Sequence, residues 1–225
     1  MPSDSLGAVA REVVECGKCP RLVDWRERVA REKTARFRDW DYWGRPVPPF
    51  GDTNAKLVIV GLAPAAHGGN RTGRIFTGDR SGDWLFESLY RAGFANQPRS
   101  QHRDDGLRLI GGYITAVVHC APPGNKPTPQ ERDNCLPYLE RELRVLPWRV
   151  IVALGSFAYD GVCRALGVRK RLAFGHGVEA PLEDARVIIC SYHPSQQNTQ
   201  TGKLTREMLD GVFTRARELV RWPDS

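Results

Sequence analysis

The sequence predicts an α/β fold: a single three-layer α/β/α domain around a central, mainly parallel four-stranded sheet. Three observations carry that expectation. Short apolar runs at 56–62, 113–118, 150–154 and 187–192 have the length and unbroken hydrophobicity of strands buried on both faces. Segments with helical signals lie between them. The chain of 225 residues, 41% hydrophobic and 26% charged, has ordinary globular composition and fits one domain able to bury about 70% of its unfolded surface. Such β-α-β alternation places ligands in a crevice at the carboxyl ends of the strands.

Residues 1–17 carry acidic side chains and no apolar run, and no segment approaches the roughly 18 apolar residues of a membrane helix, so a cytoplasmic protein without a membrane partner is expected. After the first strand, 83–91 reads as a helix with Ser81 or Asp79 as its cap and Gly93 as its stop. After the second, Thr128-Pro129-Gln130-Glu131 is a capping box with proline at the first helical position. Pro137 is expected to break or kink that helix before 139–146. Residues 156–166, ended by Gly167, and 205–221 supply the remaining helices. The aromatic, proline-rich 40–51 and the long loop 63–79 stand outside this scheme. A loop of that length inside a domain is a functional element or a disordered surface insertion, and function is the expectation adopted.

Six cysteines are too few for a disulfide scaffold. Cys16-Gly17-Lys18-Cys19 forms a C-x2-C pair that Cys120 and Cys135 can complete to four thiolates. Such a site holds zinc or an iron-sulfur cluster, and spacing alone makes zinc the default. Cys163, in a helical pattern, and Cys190, within a strand, read as buried core thiols.

Thirty-three Lys and Arg against 26 Asp and Glu leave the chain at +7, the balance of a surface suited to phosphate backbones. Two loops carry the chemistry. The stretch 61–79, GLAPAAHGGNRTGRIFTGD, is glycine-dense, so its backbone can approach a ligand closely. The stretch 193–202, HPSQQNTQTG, follows the fourth strand with a histidine fixed by proline.

These loops, the CAPPGNKPTP segment and the cysteine spacing resemble the family 5 uracil-DNA glycosylases of the uracil-DNA glycosylase superfamily, over most of the chain. The resemblance implies one structural 4Fe-4S cluster on Cys16, Cys19, Cys120 and Cys135, tying the N-terminal helical segment 1–50 into one domain spanning 1–225. It also implies a monomeric, nucleoid-associated repair enzyme that flips uracil or another deaminated base out of double-stranded DNA and hydrolyses its glycosidic bond, leaving an abasic site.

Within that picture His193 stabilises the departing base and Asp79 orients water or the sugar cation. Phe76 offers a stacking face, Asn125 a donor and an acceptor for the base edge, and Ala63 room for larger bases such as hypoxanthine. Arg71, Arg74 and Lys203 are expected on phosphates, with Gln196, Gln197 and Asn198 entering the minor groove. Related families place a carboxylate or amide directly after the first strand, where Leu62, Ala63 and Pro64 offer neither. No lysine stands in a Schiff-base setting. The competing reading is a non-catalytic, zinc-stapled module that binds damaged DNA or nucleotides. An iron-sulfur redox protein lacks any second cofactor motif here.

Overall fold

In the computed structural model, which describes residues 5–220, the chain runs α1 (Leu6–Val14), α2 (Pro20–Glu32), β1 (Phe50–Gly51), β2 (Leu57–Gly61), α3 (Gly69–Thr72), α4 (Arg80–Arg91), β3 (Gly112–Ala116), α5 (Pro129–Val145), β4 (Val150–Leu154), α6 (Ser156–Ala165), β5 (Glu179–Pro181), β6 (Val187–Ser191), α7 (Gln196–Gln200) and α8 (Arg206–Val220). The expected strands are β2, β3, β4 and β6, buried at every position. They pair in parallel, with Ile59 between Ile114 and Val152. The sheet as a whole corrects the four-strand expectation: it has six strands in the order β1-β3-β2-β4-β6-β5 and is mixed, because β1 and β5 pair antiparallel at its edges. Two- and three-residue strands are too short to print a period in the sequence.

Alternation along each central strand feeds two cores. Leu57, Ile59, Ile114, Val152 and Ile189 face Leu85 and Phe86 of α4 and Val212 and Phe213 of α8. Val58, Val60, Ile151, Ala153 and Ile188 face Leu139 and Leu143 of α5 and Val162 of α6. Cys163 and Cys190 lie fully buried in this second core, as expected of small hydrophobes. α1 extends it by packing Val9 and Val13 on Tyr138.

Capping signals place the helix starts. Asp79 caps α4 by accepting from the Gly82 N–H at 2.9 Å, and Thr128 and Glu131 close the capping box of α5. Thr205 accepts from the Met208 N–H and starts α8, for which the predicted last residue, Arg221, lies outside the described residues. Pro137 does not break α5, which continues through it. Its missing N–H forfeits one bond to the Asp133 carbonyl, and both residues sit on the exposed face, where water can take that carbonyl.

Candidate active site and cysteine pocket

β2 and β6 flank β4, so the two loops expected to carry chemistry leave the same edge of the sheet. Phe76 comes back across the end of β2 until its ring centroid is 5.6 Å from that of His193. That return needs a glycine: a Cβ on Gly61 would stand 2.8 Å from two ring carbons of Phe76. Phe76 itself holds a left-handed backbone, φ 55°, a conformation that costs a non-glycine residue about 1–3 kcal/mol and persists only where the surroundings impose it.

His193 has no hydrogen-bonded charge partner, and burial alone pulls its pKa down to about 4. The imidazole is therefore neutral at pH 7, with an N–H to donate. Its backbone carbonyl accepts from Asn198 Nδ2 at 2.8 Å, and Ser195 Oγ accepts from the Asn198 N–H. Asn198 thus braces the His193 turn from inside while staying half-buried beside Gln196 and Gln197. Residues 196–200 form α7 instead of open loop, because Ser195 caps them. Gln196 and Gln197 remain exposed on that helix, and Lys203 is exposed with its ammonium over the Tyr192 ring.

Asp79 serves as helix cap through Oδ1, while Oδ2 faces Gly68, where a side chain would collide with it. Burial, reinforced by Asp83, raises its pKa; the helix N–H groups and Arg71 oppose the rise. Ala63 is half-buried just past β2. Asn125 stands exposed in a left-handed turn, φ 56°, where its backbone N–H donates to the Pro122 carbonyl and its side-chain amide makes no hydrogen bond among the described residues.

Arg71 and Arg74, expected on phosphates, are both 3% exposed. Arg74 donates to Thr77 and Ser100, pairs with Asp105 at 2.7 Å and reaches the Arg103 carbonyl. Arg71 donates to the carbonyls of His67 and Gly78 and packs its guanidinium 3.9 Å from the Phe37 ring centre and 4.1 Å from that of Trp40. The correction is physical. Except for Arg71 Nη1, these donors are taken up within the fold of the 63–79 loop and its neighbours, which holds that loop mostly buried.

The four expected thiols, Cys16, Cys19, Cys120 and Cys135, line one pocket of about 20 Å³ with Arg26, His119 and Asn134. Three of the sulfurs accept N–H donors: Cys120 from Arg26 at 3.0 Å, Cys135 from the His119 amide at 3.4 Å and Cys19 from Asn134 at 3.5 Å. Donors aimed at sulfur stabilise thiolate ligands. Burial is the leading cause of the raised thiol pKa values of Cys120, to about 11, and of Cys135. Among the described residues no group of three or more His, Cys, Asp or Glu is arranged to hold a single metal ion.

Sequence reasoning missed the supports. His176 accepts from the Tyr192 N–H through Nδ1 and reaches the Met208 carbonyl through Nε2, fixing the backbone just before His193. Asn70 Nδ2 donates to the Arg26 carbonyl, joining α3 to α2. His176 lies in no motif, and Asn70, although inside the 61–79 stretch, carries no local sign of its role, because the Arg26 and Met208 carbonyls they meet are more than 30 residues away in the chain.

A neutral imidazole packed on an aromatic ring, with a carboxylate closing the loop that carries that ring, lies at the carboxyl ends of the parallel strands, where α/β enzymes place their active sites. Residues 48–217 match the model of the Uracil DNA glycosylase superfamily. The chain is 52% identical to the type-5 uracil-DNA glycosylase of Mycobacterium leprae over 220 residues, 96% of each chain. It is 51% identical to the type-5 enzyme of Thermus thermophilus over 215 residues, 95% of this chain and 97% of that one. A type-4 uracil-DNA glycosylase of Archaeoglobus fulgidus is 34% identical over 156 residues, 69% of this chain and 62% of that one. The chain belongs to the uracil DNA glycosylase superfamily, among its type-5 members.

Proposed function

We propose that this protein hydrolyses the N-glycosidic bond of uracil in DNA. The observation that carries the reading is the neutral His193 held against Phe76, with Asp79 closing the same loop. The reading also rests on the type-5 relatives, named for uracil and DNA. In a duplex the target nucleotide must first leave the stack, at a few kcal/mol. Phe76 then supplies the stacking face and the free amide of Asn125 the base edge. As the bond between C1′ and the base breaks, its electron pair leaves with the base, and a His193 N–H donates to the developing oxyanion. Asp79 stabilises the cationic sugar and orients the water that adds to C1′. The raised pKa of Asp79 suits it to take that water's proton. Arg71 lies close enough to oppose the rise and keep the carboxylate available.

The finer parts of the proposal are these. The substrate is double-stranded DNA, and the small Ala63 side chain leaves room for hypoxanthine beside uracil. No lysine is buried among the described residues, so no desolvated amine is present to form a Schiff base, and the product is an intact abasic site. Cys16, Cys19, Cys120 and Cys135 hold one 4Fe-4S cluster. What supports a cluster is the lining: four thiols around one pocket, three of whose sulfurs accept N–H donors of the kind that stabilise cluster thiolates. Such a cluster supplies a covalent cross-link between α2, the segment after β3 and α5.

The test is incubation of the purified protein with end-labelled duplexes carrying uracil or hypoxanthine, followed by electrophoresis with and without alkali. Breakage at uracil only after alkali is the expected result. Binding without breakage would overturn the glycosylase reading in favour of a recognition module, and breakage without alkali would overturn the monofunctional one.

A further inference from the structure

One groove shares Asp79 and Arg71 with the site above but runs on past them along residues that the chemistry does not use. Its walls include Arg36, Trp40, Arg71, Arg80 and His102, and Arg80 also lines an adjoining depression with Arg99. Arg36, Arg80 and Arg99 are exposed, and none has a carboxylate partner among the described residues. Nearby arginines are paired: Arg74 with Asp105, Arg91 with Asp210, Arg206 with Glu87. Of the carboxylates on these walls, Asp105 and Glu87 are thus engaged and Asp79 caps α4, which leaves Asp83 against three unpaired cations.

A second observation comes from the groove floor. Arg71 is 3% exposed, and its Nη1 is buried without an acceptor beneath Phe37 and Trp40. Arg36 stands close enough to disfavour the charge on Arg71, so the wall carries like charges that an anion would relieve. A surface that is positive, open and continuous with a catalytic carboxylate matches a phosphodiester chain in charge and shape.

We infer that this groove seats the DNA backbone beside the flipped nucleotide, with Arg36, Arg80 and Arg99 as its phosphate contacts. Arg80 follows Asp79 directly, so a phosphate on it lies next to the reacting sugar. The inference rests on the glycosylase reading and moves the phosphate contacts away from the buried Arg71 and Arg74.

The test is fluorescence anisotropy of a labelled duplex containing 2′-fluoro-2′-deoxyuridine, which resists cleavage, measured over a salt series. Each contact neutralised by Arg→Gln should lower the slope of log K against log salt by about 0.9, and the triple variant by about 2–3. Arg→Lys at the same positions should keep the slope, since lysine still offers a point charge. Lys56→Gln, at the opposite end of the sheet, should leave it alone. If wild-type protein excises uracil while the triple variant, folded by circular dichroism, keeps the wild-type slope, the groove is not the backbone site and the glycosylase reading stands. If wild-type protein neither binds nor excises, both fall together.

Discussion

His193 draws its chemistry from where it sits. Burial removes the stabilisation water gives an imidazolium, and no carboxylate replaces it, so the ring stays neutral down to pH about 4. In the proposed mechanism a neutral ring would donate without attracting the intact nucleotide as a cation would, and its hydrogen bond would strengthen as charge grows on the leaving base. His193→Ala should therefore lower single-turnover uracil excision about 10²–10³-fold, the usual result of deleting one preorganised donor, with duplex affinity little changed. The neutral form is the active one, so the rate that depends on His193 should stay level from pH 8 down to pH 5 and fall only as pH approaches 4. A fall through pH 6.5 would mean an ordinary, solvated histidine. That the loops of His193 and Phe76 leave one edge of the sheet was legible in the sequence, because both are long, patterned and follow parallel strands. Arg71 and Arg74 were misread, because an arginine looks the same in sequence whether it meets solvent or, as here, three carbonyls, two hydroxyls and a carboxylate.

At the scale of elements, Arg74 shows how the long loop keeps its shape. Its guanidinium joins the stretch after α3 to residues 100–105, bonding Thr77, Ser100 and Asp105 at once. Removing one partner of such a buried pair leaves the other charge uncompensated. Arg74→Ala should destabilise the protein by about 3 kcal/mol, read as a lower urea midpoint, whereas a phosphate contact would show as a shallower salt slope of DNA binding at unchanged stability. The capping box of α5 was legible because its four residues are consecutive and their bonds are local. The edge strands β1 and β5 and the one-turn α3 were not. Each is set by what lies across from it: Phe50 by Ile114, Glu179 by Ile189 and Asn70 by Arg26.

Two devices act on the whole molecule. The first is Glu142, fully buried, with Thr115 close enough to favour its charge and with His119 Nε2 3.9 Å away. Tyr113 is the other polar group facing it. Burial raises its pKa from 4.5 to about 8, so between those values the native state keeps a proton that the unfolded chain has released. Stability contributed this way is present below pH 4.5 and is lost as pH rises through about 8. Glu142→Gln should remove that slope, so its thermal midpoint should gain on wild type from pH 5 to pH 8. The second device is the cysteine pocket, and its reach extends to the crevice. Cys19 caps the start of α2, the Arg26 carbonyl on α2 accepts from Asn70, and Asn70 lies in the loop that carries Phe76 and Asp79. The Trp43 and Gly44 amides bind the Arg71 and Asn70 carbonyls, and the Val47 amide binds that of His119, beside Cys120, so residues 43–47 are held at both ends. If the proposed cluster occupies this pocket, losing it should free α1 and α2 first and loosen the 63–79 loop second. Cys19→Ser should abolish visible absorbance and, if the link is worth the roughly 2–5 kcal/mol typical of a structural covalent staple, lower the thermal midpoint by about 5–15 °C. Limited proteolysis should then cut within residues 1–50 before the rest, and excision should fall although no catalytic group was touched. An unchanged midpoint and proteolytic pattern in a variant without visible absorbance would show that packing of α1 on Tyr138 and of α2 on α3 holds the N-terminal segment unaided.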